Sequence, residues 1–197
     1  MAIVTTKSGS IVNLDASPII TNTVGEGAPG LLRVMNDSLT GVIGDLPLSV
    51  YRLVRIPTDA KIKRLLISTF GATGTSAGDI DVAFSDSLTD GTQPSLSQLA
   101  NPVVQVAGAV DNKLFGAAQA LNGAAPPVTP VEKTFAGTAP NTFTAAHQNL
   151  PLWQVLVNLG ATQFTADPGG FFDIAIKLTT AVAVANIIYN IEVDYVE

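Results

Sequence analysis

Cysteine is absent from the 197 residues, which removes disulfides, thiolate metal sites and cysteine nucleophiles at once. Histidine occurs once, at His147, so a metal site of clustered histidines is excluded. Charge is scarce as well. Only 13% of residues are charged, against about 25% in an average soluble chain, while 47% are apolar. Exposed apolar surface drives association, so this balance favours a chain that hides surface against neighbours, although a large, well-covered core accounts for the same numbers. The net charge of −6 opposes general nucleic-acid binding, which needs clustered cations against phosphates. The longest apolar run, Ala181 to Tyr189, carries Asn186 and falls far short of the roughly 18 residues of a membrane-spanning helix, so no membrane association is expected. Met1-Ala2-Ile3-Val4-Thr5-Thr6-Lys7 lacks the basic-then-apolar start of a secretory leader, and a soluble protein is expected.

What is present reads as mainly β. Residues 1–48 are broken by Gly25, Gly27, Pro29, Gly30, Gly41, Gly44 and Pro47 and read as an extended N-terminal arm, with residues 49–197 as the β-sandwich domain. Short apolar pieces in that arm, Ile11-Val12 and Leu31-Leu32, are suited to adding strands or lying across a neighbour. Ser49 to Phe70 predicts a hairpin: a β-branched run from Val50 to Ile56, a turn at Pro57-Thr58-Asp59-Ala60, and a return from Lys61. In the next strand Ile80, Val82 and Phe84 share one face and Asp79 and Asp81 the other, the pattern of a half-buried strand with carboxylates in solvent. Phe172 to Leu178 and Ile187 to Tyr195 alternate in the same way near the C-terminus.

Between these strands, residues 85–150 are rich in Ala, Gly, Pro, Asn and Thr. Two short helices are expected there or at its edge. The first carries Asp111 at its cap, a stripe of Leu114, Phe115, Ala118 and Leu121, and Gly123 at its end. The second runs from Leu150 to Leu159, with Pro151 near the start, Leu152, Trp153 and Leu156 on one side, and Gly160 just past the end. First and last strands must then pair across a long loop-rich middle, an arrangement natural to antiparallel sandwiches of jelly-roll type.

No constellation for catalysis is read from the residues, and no cofactor is expected. His147 is read as a loop or capping residue, since one ionisable group without a partner is not a site. Asp79, Asp81, Asp86 and Asp90-Gly91 do not match the spacing of a calcium loop, so no metal is expected. No phosphate-cradling Gly-x-x-x-x-Gly-Lys-Ser/Thr occurs. The sequon Asn36-Asp37-Ser38 has no secretion signal to make it usable. One cluster stands out. Arg52, Arg55, Lys61, Lys63 and Arg64 put five of the ten basic residues within thirteen positions of an acidic chain. On adjacent hairpin strands they predict a positive patch, serving either to protect a sheet edge or to contact an acidic partner. Nucleic acid ranks below both, because no aromatic platform adjoins the cations.

Tyr51-Arg52-Leu53-Val54-Arg55-Ile56-Pro57-Thr58-Asp59-Ala60-Lys61-Ile62 resembles a stretch found among small virion proteins of tailed bacteriophages. Asp81-Val82, Lys113-Leu114-Phe115, Pro151-Leu152-Trp153 and Val193-Asp194-Tyr195-Val196 follow in the order such proteins show. The likeness covers about residues 50–197 and rests on order and character; it departs where the Asp-Val strand continues as Ala83-Phe84 instead of with glycine. It implies a non-enzymatic cement or decoration protein of the phage head, made in the host cytoplasm, that binds the major capsid protein shell as a homo-oligomer, a dimer or trimer. Alternatives are a receptor- or glycan-binding sandwich of a fibre and a neck or tail-completion structural protein.

Overall fold

Two β-sheets packed face to face organise the computed structural model, which describes residues 5–15, 32–71, 74–85, 104, 113–121, 130–137, 142–183 and 186–197. The strands are β1 (Thr5–Lys7), β2 (Arg33–Thr40), β3 (Val50–Pro57), β4 (Lys61–Gly71), β5 (Ala77–Phe84), β6 (Gly116–Ala120), β7 (Val131–Glu132), β8 (Phe171–Leu178) and β9 (Ile187–Val196). One sheet has the order β1-β3-β8-β5-β6 and the other β2-β9-β4-β7. From β2 onward the chain changes sheets at every connection except β5 to β6, and every pair after β1 is antiparallel. That is the eight-stranded jelly roll, the fold class expected from the alternating end strands, with β1 added in parallel beside β3. Apolar side chains at every second position meet between the sheets: Tyr51, Val54, Ile56, Ile80, Val82, Ile174 and Ile176 from one, Ile62, Leu65, Ile67, Ile191 and Val193 from the other.

Four readings need correction or refinement. β3 and β4 are not a hairpin. The turn at Pro57–Ala60 forms, with Ala60 N–H donating to the Pro57 carbonyl at 3.2 Å, but the strands it joins enter opposite sheets. Each finds its long antiparallel partner near the C-terminus, β3 with β8 and β4 with β9, and two-residue-turn logic cannot see partners that distant. The helix expected around Leu114–Leu121 is instead strand β6. There Phe115 N–H donates to the Ile80 carbonyl and Leu121 N–H to the Ser76 carbonyl, completing the edge of β5, so tertiary pairing overrides helical spacing. Leu114, Phe115 and Leu121 are buried as a helix stripe would also have buried them, while Asp111 and Gly123 lie outside the described residues. Within the span read as an arm, β2 pairs with β9 over its whole length and a seven-residue helix α1 (Gly9–Asp15) lies against β3. The carboxylates of β5 are not in solvent: Asp79 and Asp81 are both fully buried.

The second predicted helix is present as α2 (Leu152–Asn158), entered through Pro151 and followed by Gly160 at φ 99°. Its first amides have no partner inside the helix. Leu152 and Trp153 N–H donate to the Ala60 and Thr58 carbonyls at 2.9 and 3.0 Å, so the β3–β4 turn caps the helix. Leu152, Val155 and Leu156 then seal that end of the core.

Candidate functional site

The five clustered cations separate into four environments. Arg52 and Arg55 are 2% and 3% exposed and point to the side of the β1-β3-β8-β5-β6 sheet away from the main core. A bulge between Arg52 and Val54 makes this possible: Leu53 and Val54 both turn into the core, so Arg52 and Arg55 share a face despite an odd spacing. Both clasp Asp173 of β8. Arg52 Nε donates to Oδ2 at 2.7 Å, Arg55 Nε to Oδ1 at 2.7 Å and Arg55 Nη2 to Oδ2 at 3.1 Å, with Arg52 Nη2 also on Oδ2. Arg55 Nη1 reaches Asp15 of α1, which Lys7 of β1 holds from the other side at 2.8 Å.

The same face continues across the sheet. Register places Lys177 between Val50 and Asp79, Ala175 between Arg52 and Asp81, and Asp173 between Arg55 and Ala83. Lys177 is 4% exposed, and Val50, Ala83 and Ala175 form a small second core among these charges. Three cations, Arg52, Arg55 and Lys177, thus share this buried face with three carboxylates: Asp173, which both arginines clasp, Asp79, and Asp81, whose Oδ1 accepts from the Leu114 N–H at 2.9 Å. Charges taken out of water require this compensation, which explains why the polar face of a strand pattern need not be a wet face. Burial raises the proton affinity of the Asp15 carboxyl, yet the hydrogen bonds and charges of Arg55 and Lys7 outweigh it and hold the group below the usual carboxylate value.

Lys61, Lys63 and Arg64 lie toward the surface. A second bulge, between Ile62 and Arg64, turns Lys63 to the short 3₁₀ segment Ala145–Asn149, where its Nζ donates to the Gln148 carbonyl at 2.6 Å and to Asn149 Oδ1 at 3.0 Å. Arg64 is 46% exposed and bridges Asp194 and Glu192 on β9 at 2.8 and 3.1 Å. Lys61 is half-buried and forms no ion pair among the described residues. The structure thus does not bring the five together as one patch.

His147 is a cap. Its Nδ1 accepts from the Thr144 N–H at 3.2 Å, and its ring stands edge-on to Phe143; burial pushes its pKa below the usual imidazole value. Sequence reasoning passes over two motifs, and neither has the context its chemistry needs. Gly74-Thr75-Ser76-Ala77-Gly78 has the spacing of a nucleophile elbow, but it leads into β5 instead of from strand to helix, and the Ser76 hydroxyl is buried, accepting from Tyr189 Oη at 3.0 Å. Gly25-Glu26-Gly27-Ala28-Pro29-Gly30 has dinucleotide-loop spacing and lies outside the described residues; strand β2, not a helix, follows it. Asp86 and Asp90 also lie outside them, and no group of three potential ligands for a metal occurs among the described residues.

The surface that stands out is apolar. The loop joining β2 to β3, residues 41–48, exposes Val42 (60%), Ile43 (54%), Leu46 (36%) and Leu48 (52%). It is nonetheless firmly held. Gly44 N–H donates to the Val182 carbonyl, Val182 N–H to Asp45, and Leu48 N–H to Leu178, at 2.8 to 3.1 Å. Asp45 turns inward to accept from the Tyr51 hydroxyl at 2.6 Å. The loop begins at Gly41, where a Cβ would lie 2.8 Å from the Tyr189 ring, so this close approach requires glycine.

No family model and no curated protein matches the sequence. Among solved structures, the chain is similar to one described as the cyanophage Pam1 capsid asymmetric unit, with 10% sequence identity over 92% of this chain and 96% of that one, at a TM-score of 0.44. At that identity and score the likeness carries no functional argument.

Proposed function

We propose that this chain is a non-enzymatic virion structural protein that binds the major capsid protein shell of a phage head and stabilises it. The observation that carries the assembly part of this reading is where charge resides. At least eight of the 26 charged residues, Arg52, Arg55, Lys177, Asp45, Asp79, Asp81, Asp173 and Asp194, are buried. A chain already poor in charge therefore keeps still less of it outside, and it exposes a held apolar loop. The virion part follows from the resemblance of residues 50–197 to small phage head proteins. Many copies, each burying modest apolar area at about 25 cal/mol per Å², sum to a large stabilisation over a shell. Lys61 and Arg64 supply the outward cations for an acidic neighbour, and Arg52 and Arg55 act from inside by shaping the strand that carries them.

Quantitative mass spectrometry of purified heads tests the reading. The chain is expected in integral ratio to the major capsid protein; its absence, or a few copies per particle, would overturn it. One observation favours the receptor-binding alternative: Phe135 is 47% exposed and stacks on Phe143, 6.2 Å between ring centres, which offers an aromatic surface to a sugar. Glycan-array binding that disappears in Phe135→Ala would establish that alternative.

A further inference from the structure

We propose that Lys177 of β8 and Asp79 of β5 condense into an intramolecular isopeptide bond, with Asp81 carrying the proton that the step moves. Register sets the pair. Asp79 and Lys177 are direct Cα partners across two antiparallel strands, so their side chains leave the sheet on the same side and opposite one another. Both are closed off from water, at 1% and 4% exposure, and Asp81, one diagonal step from Lys177, is fully buried. The Leu114 N–H donates to Asp81 Oδ1 at 2.9 Å and fixes that carboxyl in place. Val50 stands beside Lys177 on β3 and Ala175 beside Asp81 on β8, and with Ala83 they make the surroundings apolar.

Chemistry singles out this pair on a face that holds three cations. Arg52 and Arg55 cannot give up their protons, and both are engaged by Asp173. A lysine can give up its proton, and its free amine is then a nucleophile. Lys177 is the one lysine of the three, and the carboxyl across from it is Asp79.

The step balances without oxidant, reductant or cofactor. One proton passes from the ammonium to the Asp79 carboxylate, which leaves an amine and an acid. Away from water such a neutral pair lies closer in energy to the ion pair than it does in solution. Lys177 Nζ then adds to Asp79 Cγ, and the C–N bond forms. Asp81 takes a proton from the nitrogen and returns it to the departing hydroxyl as the C–O bond breaks. One water leaves, Asp81 is restored, and no charge remains to be buried at the pair. Two groups held opposite each other react at a high effective concentration, which is what the sheet supplies. The product ties β5 to β8 covalently, a constraint on the unfolded chain of the kind a disulfide gives, in a sequence that has no cysteine.

Mass spectrometry of the full chain, denatured after purification, tests this. The wild-type mass is expected to fall below that of the sequence by one water, and protease digestion to return the peptides bearing Asp79 and Lys177 joined as one species. Lys177→Arg keeps the cation and is expected to show the full mass. Asp81→Asn is expected to fold and to lose the water more slowly after synthesis; conversion as fast as wild type would overturn the role of Asp81. A wild-type chain that melts cooperatively yet has its full mass would overturn the proposal, as would a water lost at other residues or retained loss in Lys177→Arg. If Lys177→Arg does not fold, the wild-type mass and the joined peptide decide the matter alone. Head binding plays no part in the measurement, so this proposal and that one stand or fall separately.

Discussion

Arg55 Nε donates to Asp173 Oδ1 at 2.7 Å across a register pair of β3 and β8, with both residues excluded from water. The contact exists because one extra residue, Leu53, is accommodated in β3 and returns Arg55 to the face that Arg52 already occupies. Asp173 then serves two guanidiniums at once.

Asp173→Asn keeps the shape and removes the charge that both arginines face. Breaking a buried pair by removing one partner costs about 3–5 kcal/mol, a large share of the 5–15 kcal/mol of a typical domain. Urea unfolding is expected to show that loss as a lower midpoint; a shift under about 1 kcal/mol would mean that the ladder is hydrated.

The basic cluster is expected to behave as two sets. Arg52→Ala and Arg55→Ala leave Asp173 buried with half its partners and destabilise by about 3 kcal/mol or more. Arg64→Ala removes a 46%-exposed guanidinium from Glu192 and from the buried Asp194, and solvent screening of Arg64 keeps the cost to about 1–2 kcal/mol, below that of either buried arginine. Equal effects in thermal unfolding would contradict the division.

Asp15 makes the attachment of β1 and α1 sensitive to acid. Its carboxyl is held below its ordinary value of 3.8, so its stabilising contribution is present above that value and disappears as pH falls through the lower folded one. Ile11, fully buried on α1, reports the change: its methyl resonances are expected to leave their folded positions under acid before the strands unfold. Asp15→Asn should weaken the attachment at neutral pH, and unchanged Ile11 resonances in that variant would refute the role.

Gly71 ends β4 at φ 102°, opposite the start of β9, and a Cβ there would run into the Asn186 carbonyl oxygen. Gly71→Ala combines backbone strain with a clash against main chain that cannot rotate away. A loss of roughly 2 kcal/mol or more is expected in chemical denaturation.

Strand content was legible from period-two alternation, and the long-range pairing of first with last strands followed from where the alternating segments lie. α2 was legible too, through Pro151 and Gly160. Three things were hidden for identifiable reasons. Two bulges changed which face Arg55 and Arg64 occupy, and a bulge leaves no mark in a hydrophobic pattern. Alternation says that Asp79, Asp81, Asp173 and Lys177 share a side, but not that the side is covered. Leu114, Phe115 and Leu121 are buried at a spacing compatible with either a helix or a bent strand, and only the open edge of β5 decides between them. The apolar loop 41–48 was read as an interruption because glycine and proline mark turns, and exposure of Val42 and Ile43 is a property of the fold.

The pairing of early strands with late ones also sets when this protein can fold. β2 and β4 find their long partner in β9, and β3 in β8, so none of the three has its main ladder until residues 171–197 exist. During synthesis these strands wait with unmet hydrogen-bonding edges while more than a hundred residues are added, and closure depends on contacts of large sequence separation, which form slowly. Losing the last two strands would therefore not trim the molecule but strand its first half, open-edged and prone to aggregate.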